Sequence, residues 1–312
     1  MAKYITKRLL MGLVSLFALI TVTFFLTRLM PGNPFDISNV NQAVQDRIMS
    51  YYGLDQPVYV QFGMYLKNLS HGDLGISYKK VGTTVNQLIM QEAPNIMAAS
   101  MISFIPLLIA FIIALILGTV LGIAMAVTRK EGVRGSLMFL TVLGISIPNY
   151  VLALLLMLVC GVTLKWFPVV GLGSWKHYIL PVTAMTVYPL AQISKLVKSS
   201  YSEAMHQDYV IMAKAKGISK TRISFVHILK NAMIPVITIS GPMVAFLLTG
   251  SFVVENIFTI PGIGREFVNS VSNRDYTVIM GLTIFLGIIL VLCNLISDMI
   301  CALVDPRIKL EK

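Results

Sequence analysis

Residues 96–128, IMAASMISFIPLLIAFIIALILGTVLGIAMAVT, contain no Asp, Glu, Lys or Arg. A helix needs about 20 apolar residues to cross the hydrocarbon core of a bilayer, so this run is more than long enough. Pro106 within it marks a kink or an opening turn. The whole chain follows suit: 56% of its 312 residues are hydrophobic and 12% charged. A soluble domain carries about 25% charged residues, so half of the usual solvating charge is missing. The solvent that such a composition suits is lipid.

Five further uncharged runs lie outward from this one: 9–27, 136–164, 178–194, 232–254 and 277–297. The first follows Lys3, Lys7 and Arg8 in the manner of a signal peptide. Its apolar run exceeds the ~7–15 residues of a signal core and no small-x-small cleavage site follows, so it reads as an uncleaved anchor. The run at 178–194 is short and contains Pro181 and Pro189. Proline at membrane depth points to a helix packed against protein, where neighbours satisfy the freed carbonyls. Six transmembrane helices in an all-α fold are expected, with both termini on one side.

Lys and Arg outnumber Asp and Glu by 25 to 14, and their distribution gives the side. Lys3, Lys7 and Arg8, then Arg129, Lys130 and Arg134, then a run in 195–230, then Arg307, Lys309 and Lys312 fall on one side of the spans. Segments 31–94 and 255–276 carry nearly balanced charge. The positive-inside rule then places both termini and the 195–230 loop in the cytoplasm. In the outer segment, Asp55 and Pro57 signal a helix start, and Val58, Phe62, Tyr65 and Leu69 recur at helical spacing. That stripe can lie on the membrane surface or on another part of the protein.

The 195–230 loop reads as helix, glycine, helix. Its first helix ends in Lys214 and Lys216, with Gly217 placed to close it in a left-handed conformation. Ser219 is placed to cap a second helix with an apolar stripe of Ile223, Val226 and Leu229. Such a basic knuckle suits docking of a soluble partner, contact with anionic lipid, or topology alone. DNA binding would need a free domain, whereas this loop is tethered at both ends, so no nucleic acid is expected. GISKT at 217–221 is not a phosphate loop, because Ser219 and Lys214 stand where that motif needs glycine.

The loop resembles the signature segment of permease subunits in binding-protein-dependent ABC importers, whose core pattern is Glu-Ala-Ala-x-x-x-Gly. Ala213 and Gly217 match it, while Ile211 and Met212 replace the Glu and first Ala. The peptide/nickel branch uses QDYVxxAxAKG instead, matched by Gln207, Asp208, Tyr209, Val210, Ala213, Ala215, Lys216 and Gly217. LMPGNPF at 29–35, YGLDQPVYVQF at 52–62, HGDLGISY at 71–78, SIPNYVLALLL at 146–156, FTIPGIGREFV at 258–268, NRDYTVIMG at 273–281 and DPRIK at 305–309 extend the likeness over nearly the whole chain. The chain is similar to B-type permease subunits of bacterial oligopeptide importers.

This resemblance implies a type I importer fold in the cell membrane, paired with a second, homologous permease. Two cytoplasmic ATPases would bind ATP and Mg, and an extracellular binding protein would deliver the peptide. It implies no cofactor, metal or catalytic residue in this chain. Gln207, Asp208, Tyr209, Ala213, Ala215, Lys216 and Gly217 are carried over as ATPase-coupling contacts. Glu203 and Asp208 are candidates to replace the absent Glu. The expected organisation is residues 1–94 as first helix plus structured external segment, 95–305 as a five-helix core with the coupling loop, and 306–312 as a cytoplasmic tail. Dipeptides, glutathione, murein peptides or nickel are alternative cargoes within the family.

Some residues stand outside that pattern. Asp298, the one acid well inside the last span, is read as snorkelling or pairing near the cytoplasmic end. Cys160, Cys293 and Cys301 lie in apolar stretches without metal-type spacing. A stand-alone channel or secondary transporter is the rival class, but neither inverted repeats nor mid-span charges are visible.

Overall fold

A computed structural model of the protein describes residues 2–30, 49–50, 53–80, 83–90, 93–171, 173–260 and 262–304. The LMPGNPF stretch beyond Met30, the DPRIK stretch and the expected 306–312 tail lie outside these residues. The regular structure described is helical: α1 Ala2–Leu29, α2 Val58–Ser70, α3 Val85–Met90, α4 Ala93–Val127, α5 Glu131–Ser146, α6 Asn149–Leu156, α7 Ile179–Ala204, α8 Asp208–Ala215, α9 Lys220–Arg222, α10 Leu229–Ala232, α11 Ile234–Ile257, α12 Ile263–Ser272 and α13 Tyr276–Val304. The chain divides into two compact units, Thr6–Ile102 with Pro261–Val291, and Met1–Ile5 with Ser103–Ile260 and Leu292–Lys312.

Among the described residues, four helical stretches are long and apolar enough to cross a membrane: Ile5–Leu29, Ile105–Val127, Ile234–Ile257 and Tyr276–Leu303. The run at 136–164 is not one straight span. Glu131–Ser146 and Asn149–Thr163 meet at an angle of 100°, so together they make at most a broken fifth. The cause is Pro148. Proline disfavours helical backbone in the residue before it, and Ile147 is extended at φ −84°, ψ 118°. Pro106, in contrast, does not open its helix, which begins well before it at Ala93.

In the first unit, α2 lies on α1. Phe24 is buried, with ring centroids 5.0 Å from Phe62 and 5.8 Å from Tyr65. The stripe thus packs on protein, but its members are Phe62, Tyr65, Leu66 and Leu69; Val58 is exposed. Asp55 does not cap α2, whose N-cap is Pro57 without a side-chain bond; its carboxylate accepts from Ser50 Oγ at 2.8 Å. Buried Asp275 ties 77–79 to the start of α13. It accepts from Ser77 Oγ, Thr277 Oγ1 and the backbone amides of Tyr78, Lys79 and Val278.

In the second unit α7 is central, packed by α5, α6, α10 and α11. It runs ten residues past the expected end at Ser194 and buries Leu180, Pro181, Met185, Pro189 and Ile193. A helix enclosed by protein need not be apolar. Thr186 and Ser194 are buried and return their hydroxyls to the carbonyls of Val182 and Leu190, at 2.6 and 2.7 Å. Helix α4 approaches closely through Gly118 and Gly122. A Cβ on Gly122 would lie 2.6 Å from Val197 Cβ and 2.8 Å from the Ser194 carbonyl oxygen.

Candidate functional site

The loop after α7 folds into the expected knuckle. Gln207 occupies the N-cap of α8 with extended backbone, and its carbonyl accepts from Val210 N at 2.9 Å. Asp208 follows in the first turn, where a carboxylate complements the helix dipole. Gly217 adopts φ +72°. Its amide donates to Lys214 O at 3.0 Å and that of Ile218 to Ala213 O at 3.2 Å, the paired bonds of a Schellman termination.

The second half departs from simple helical spacing. Ser219 stands at the N-cap of α9 but makes no side-chain capping bond. Residues 223–228 form a π-helical turn between α9 and α10. The wider turn moves the buried face from a three-residue to a five-residue step, so Ile223 and Ile228 point inward. Val226, expected in the stripe, is 52% exposed, and its neighbour Phe225 is 62% exposed. Leu229 is half-buried.

Two faces result. Val210, Ala213, Ile223, Ile228 and Ala232 belong to one hydrophobic cluster with Ile193, Val197 and Tyr201 of α7 and Val236 of α11. Tyr201 is among the largest fully buried side chains, and its hydroxyl bonds Ser224 Oγ in the π turn. The knuckle is therefore packed onto the ends of α7 and α11 rather than hung from them. The opposite face holds Gln207, Asp208, Tyr209, Ala215, Lys216 and Gly217, all exposed, beside exposed Ile211 and Met212. Ala213 is the one carried-over residue on the inner face.

Sequence reasoning missed Tyr201, Ser224, Phe225 and the outward Ile211 and Met212. No spacing rule announces a π turn, so Phe225 carried no signal. Gly118 and Gly122 did carry one: their four-residue spacing in an apolar helix is a close-packing pattern.

Two family descriptions match the chain. "Binding-protein-dependent transport system inner membrane component" covers residues 118–310, and the corresponding N-terminal component covers residues 1–100. Among curated proteins, the dipeptide transport system permease protein DppB of Bacillus subtilis is 43% identical, with 100% of this chain and 99% of that protein covered. The oligopeptide permease protein OppB of Haemophilus influenzae is 39% identical, and AppB of Bacillus subtilis 35%, each over 99% of this chain and 100% of the relative.

Proposed function

The chain belongs to the family of binding-protein-dependent transport system inner membrane components, and on that premise we propose that it is one membrane-embedded half of an ATP-driven peptide importer. A second, homologous permease supplies the other half. Two cytoplasmic ATPases bind ATP and Mg, and an extracellular binding protein delivers the peptide. Oligopeptides are the proposed cargo, with dipeptides the nearest alternative because the relatives include permeases named for each. Both termini and the 195–230 knuckle lie in the cytoplasm, by the Lys and Arg bias.

The observation that carries this reading is the two-faced knuckle. Gln207, Asp208, Tyr209, Ala215, Lys216 and Gly217 face outward with Ile211, Met212 and Phe225, and form a mixed apolar and polar patch for a groove on one ATPase. The inner face, with Ala213 and the Tyr201–Ser224 bond, is continuous with α7 and α11. Movement of the ATPase is thereby passed to the spans as a push on a packed unit, without slack in a loop. Close-packed cores transmit such displacements because they resist compression.

Reconstituted vesicles test the proposal. Uptake of a labelled tripeptide that needs ATP, co-expressed ATPases and the binding protein supports it. Uptake by this chain alone, driven by an ion gradient, overturns it in favour of a secondary transporter.

A further inference from the structure

The first unit contains a cavity of about 770 Å³, lined by both polar and apolar side chains and within the range of small-ligand sites. Arg28, at the end of α1, forms part of its wall. The guanidinium is held in place by Nε donating to Gln61 Oε1 at 2.8 Å, and it stacks 4.6 Å from the Phe24 ring centroid and 5.2 Å from that of Tyr276. None of the ion pairs among the described residues engages it. Its Nη1 and the hydroxyl of Tyr65, a second wall residue, are buried without hydrogen-bond partners. A buried donor without an acceptor is unfavourable, so both groups gain from an acceptor brought to them.

The remaining charge on the wall is negative and lies further out. Asp55 and Asp73 are exposed, whereas Arg28 and Tyr65 are half-buried. Burial raises the Tyr65 pKa and keeps the phenol neutral, an effect that the nearby Arg28 charge lowers and that of Asp73 raises. The cavity wall thus joins a half-buried cation and a half-buried neutral phenol to two exposed carboxylates. A ligand matching both ends needs a carboxylate and an ammonium in one small molecule.

We propose that this cavity binds a zwitterionic peptide or amino acid, carboxylate inward on Arg28 and Tyr65, ammonium outward on Asp55 and Asp73. A guanidinium already fixed by stacking and by Gln61 loses little freedom on taking up a carboxylate. The identity of the ligand as a peptide rests on the importer reading, while the charge pattern does not.

The test uses the assembled permease–ATPase complex in nanodiscs, without the binding protein, and radiolabelled tri-alanine, its C-terminal amide and its N-acetyl derivative. The free peptide should bind wild type at least about tenfold more tightly than the amide, since only the carboxylate makes charge-assisted bonds. Arg28→Gln should abolish that difference, Arg28→Lys should retain part of it, and Asp55→Asn should weaken the free peptide but not the N-acetyl form. Equal binding of acid and amide to wild type overturns the inference, and this comparison needs no variant to fold. Failure of tri-alanine to bind while ATP-driven uptake persists overturns the cavity assignment and leaves the importer intact. Binding with the predicted charge dependence but no ATP-driven uptake sustains the cavity and removes the importer reading.

Discussion

Gly217 holds φ at +72°, with nothing within 4 Å of where a Cβ would sit. Space is therefore no objection to a side chain there; the backbone is. Left-handed conformation costs an ordinary residue about 1–2 kcal/mol, and a β-branched residue more. Gly217→Val should leave membrane insertion intact and cut ATP-driven peptide uptake at least severalfold, while basal ATP hydrolysis continues. Normal uptake in reconstituted vesicles would remove Gly217 from the coupling path. Asp275 offers a contrast in the other unit. Its carboxylate serves two hydroxyls and the amides of 78, 79 and 278, so Asp275→Ala strands several buried donors. A loss of about 3 kcal/mol or more is expected, read as a fall in the melting temperature of the detergent-solubilised protein. Gly217 was legible because a glycine just after a lysine-rich helix end has few other uses. Asp275 was not, because its partners at 77, 78 and 79 lie some two hundred positions away.

Elements were legible where lipid or a local stop shaped them. The runs that gave α1, α4, α11 and α13 are uncharged and long enough to cross a bilayer. The path of α7 was harder to read because protein encloses it, so its length was underestimated by the ten residues from Lys195 to Ala204. Pro148 announced the break between α5 and α6, yet the uncharged run across it argued for continuity. The close approach of α4 to α7 makes the sharpest test at this scale. A Cβ on Gly122 would press on the Ser194 carbonyl oxygen, a backbone atom that cannot rotate aside. Gly122→Val should destabilise the protein by about 1–3 kcal/mol through overpacking. Gly132→Val, on α5 with nothing within 4 Å, should be much milder in the same melting assay. Equal effects would mean that the α4–α7 contact is not tight.

For the whole molecule, the proposed topology and the proposed partner are separable questions. A background with Cys160, Cys293 and Cys301 replaced by serine leaves a single cysteine at position 220 or 67 open to labelling. An impermeant maleimide should label position 67 in intact cells and position 220 only after lysis; the reverse would invert the topology. Docking then has its own discriminator. Tyr209 is 38% exposed in the free chain and sits beside exposed Ile211 and Met212, as an anchor awaiting a groove would. Lys220, at the start of α9, is an exposed charge without an ion-pair partner among the described residues. Interface energy concentrates in a few buried anchors, aromatic ones above all, whereas rim charges set salt dependence. Tyr209→Ala should therefore weaken ATPase retention by about 1–3 kcal/mol, and Lys220→Ala should change mainly how retention falls with salt. A knuckle that only senses lipid predicts the opposite ranking, since each basic residue near an anionic surface contributes about 1 kcal/mol. Pull-down of the ATPases in detergent without anionic lipid separates the two. If both variants hold the ATPases as wild type does, these residues are not the docking contacts, and the outward face of Phe225 and Val226 becomes the next place to look.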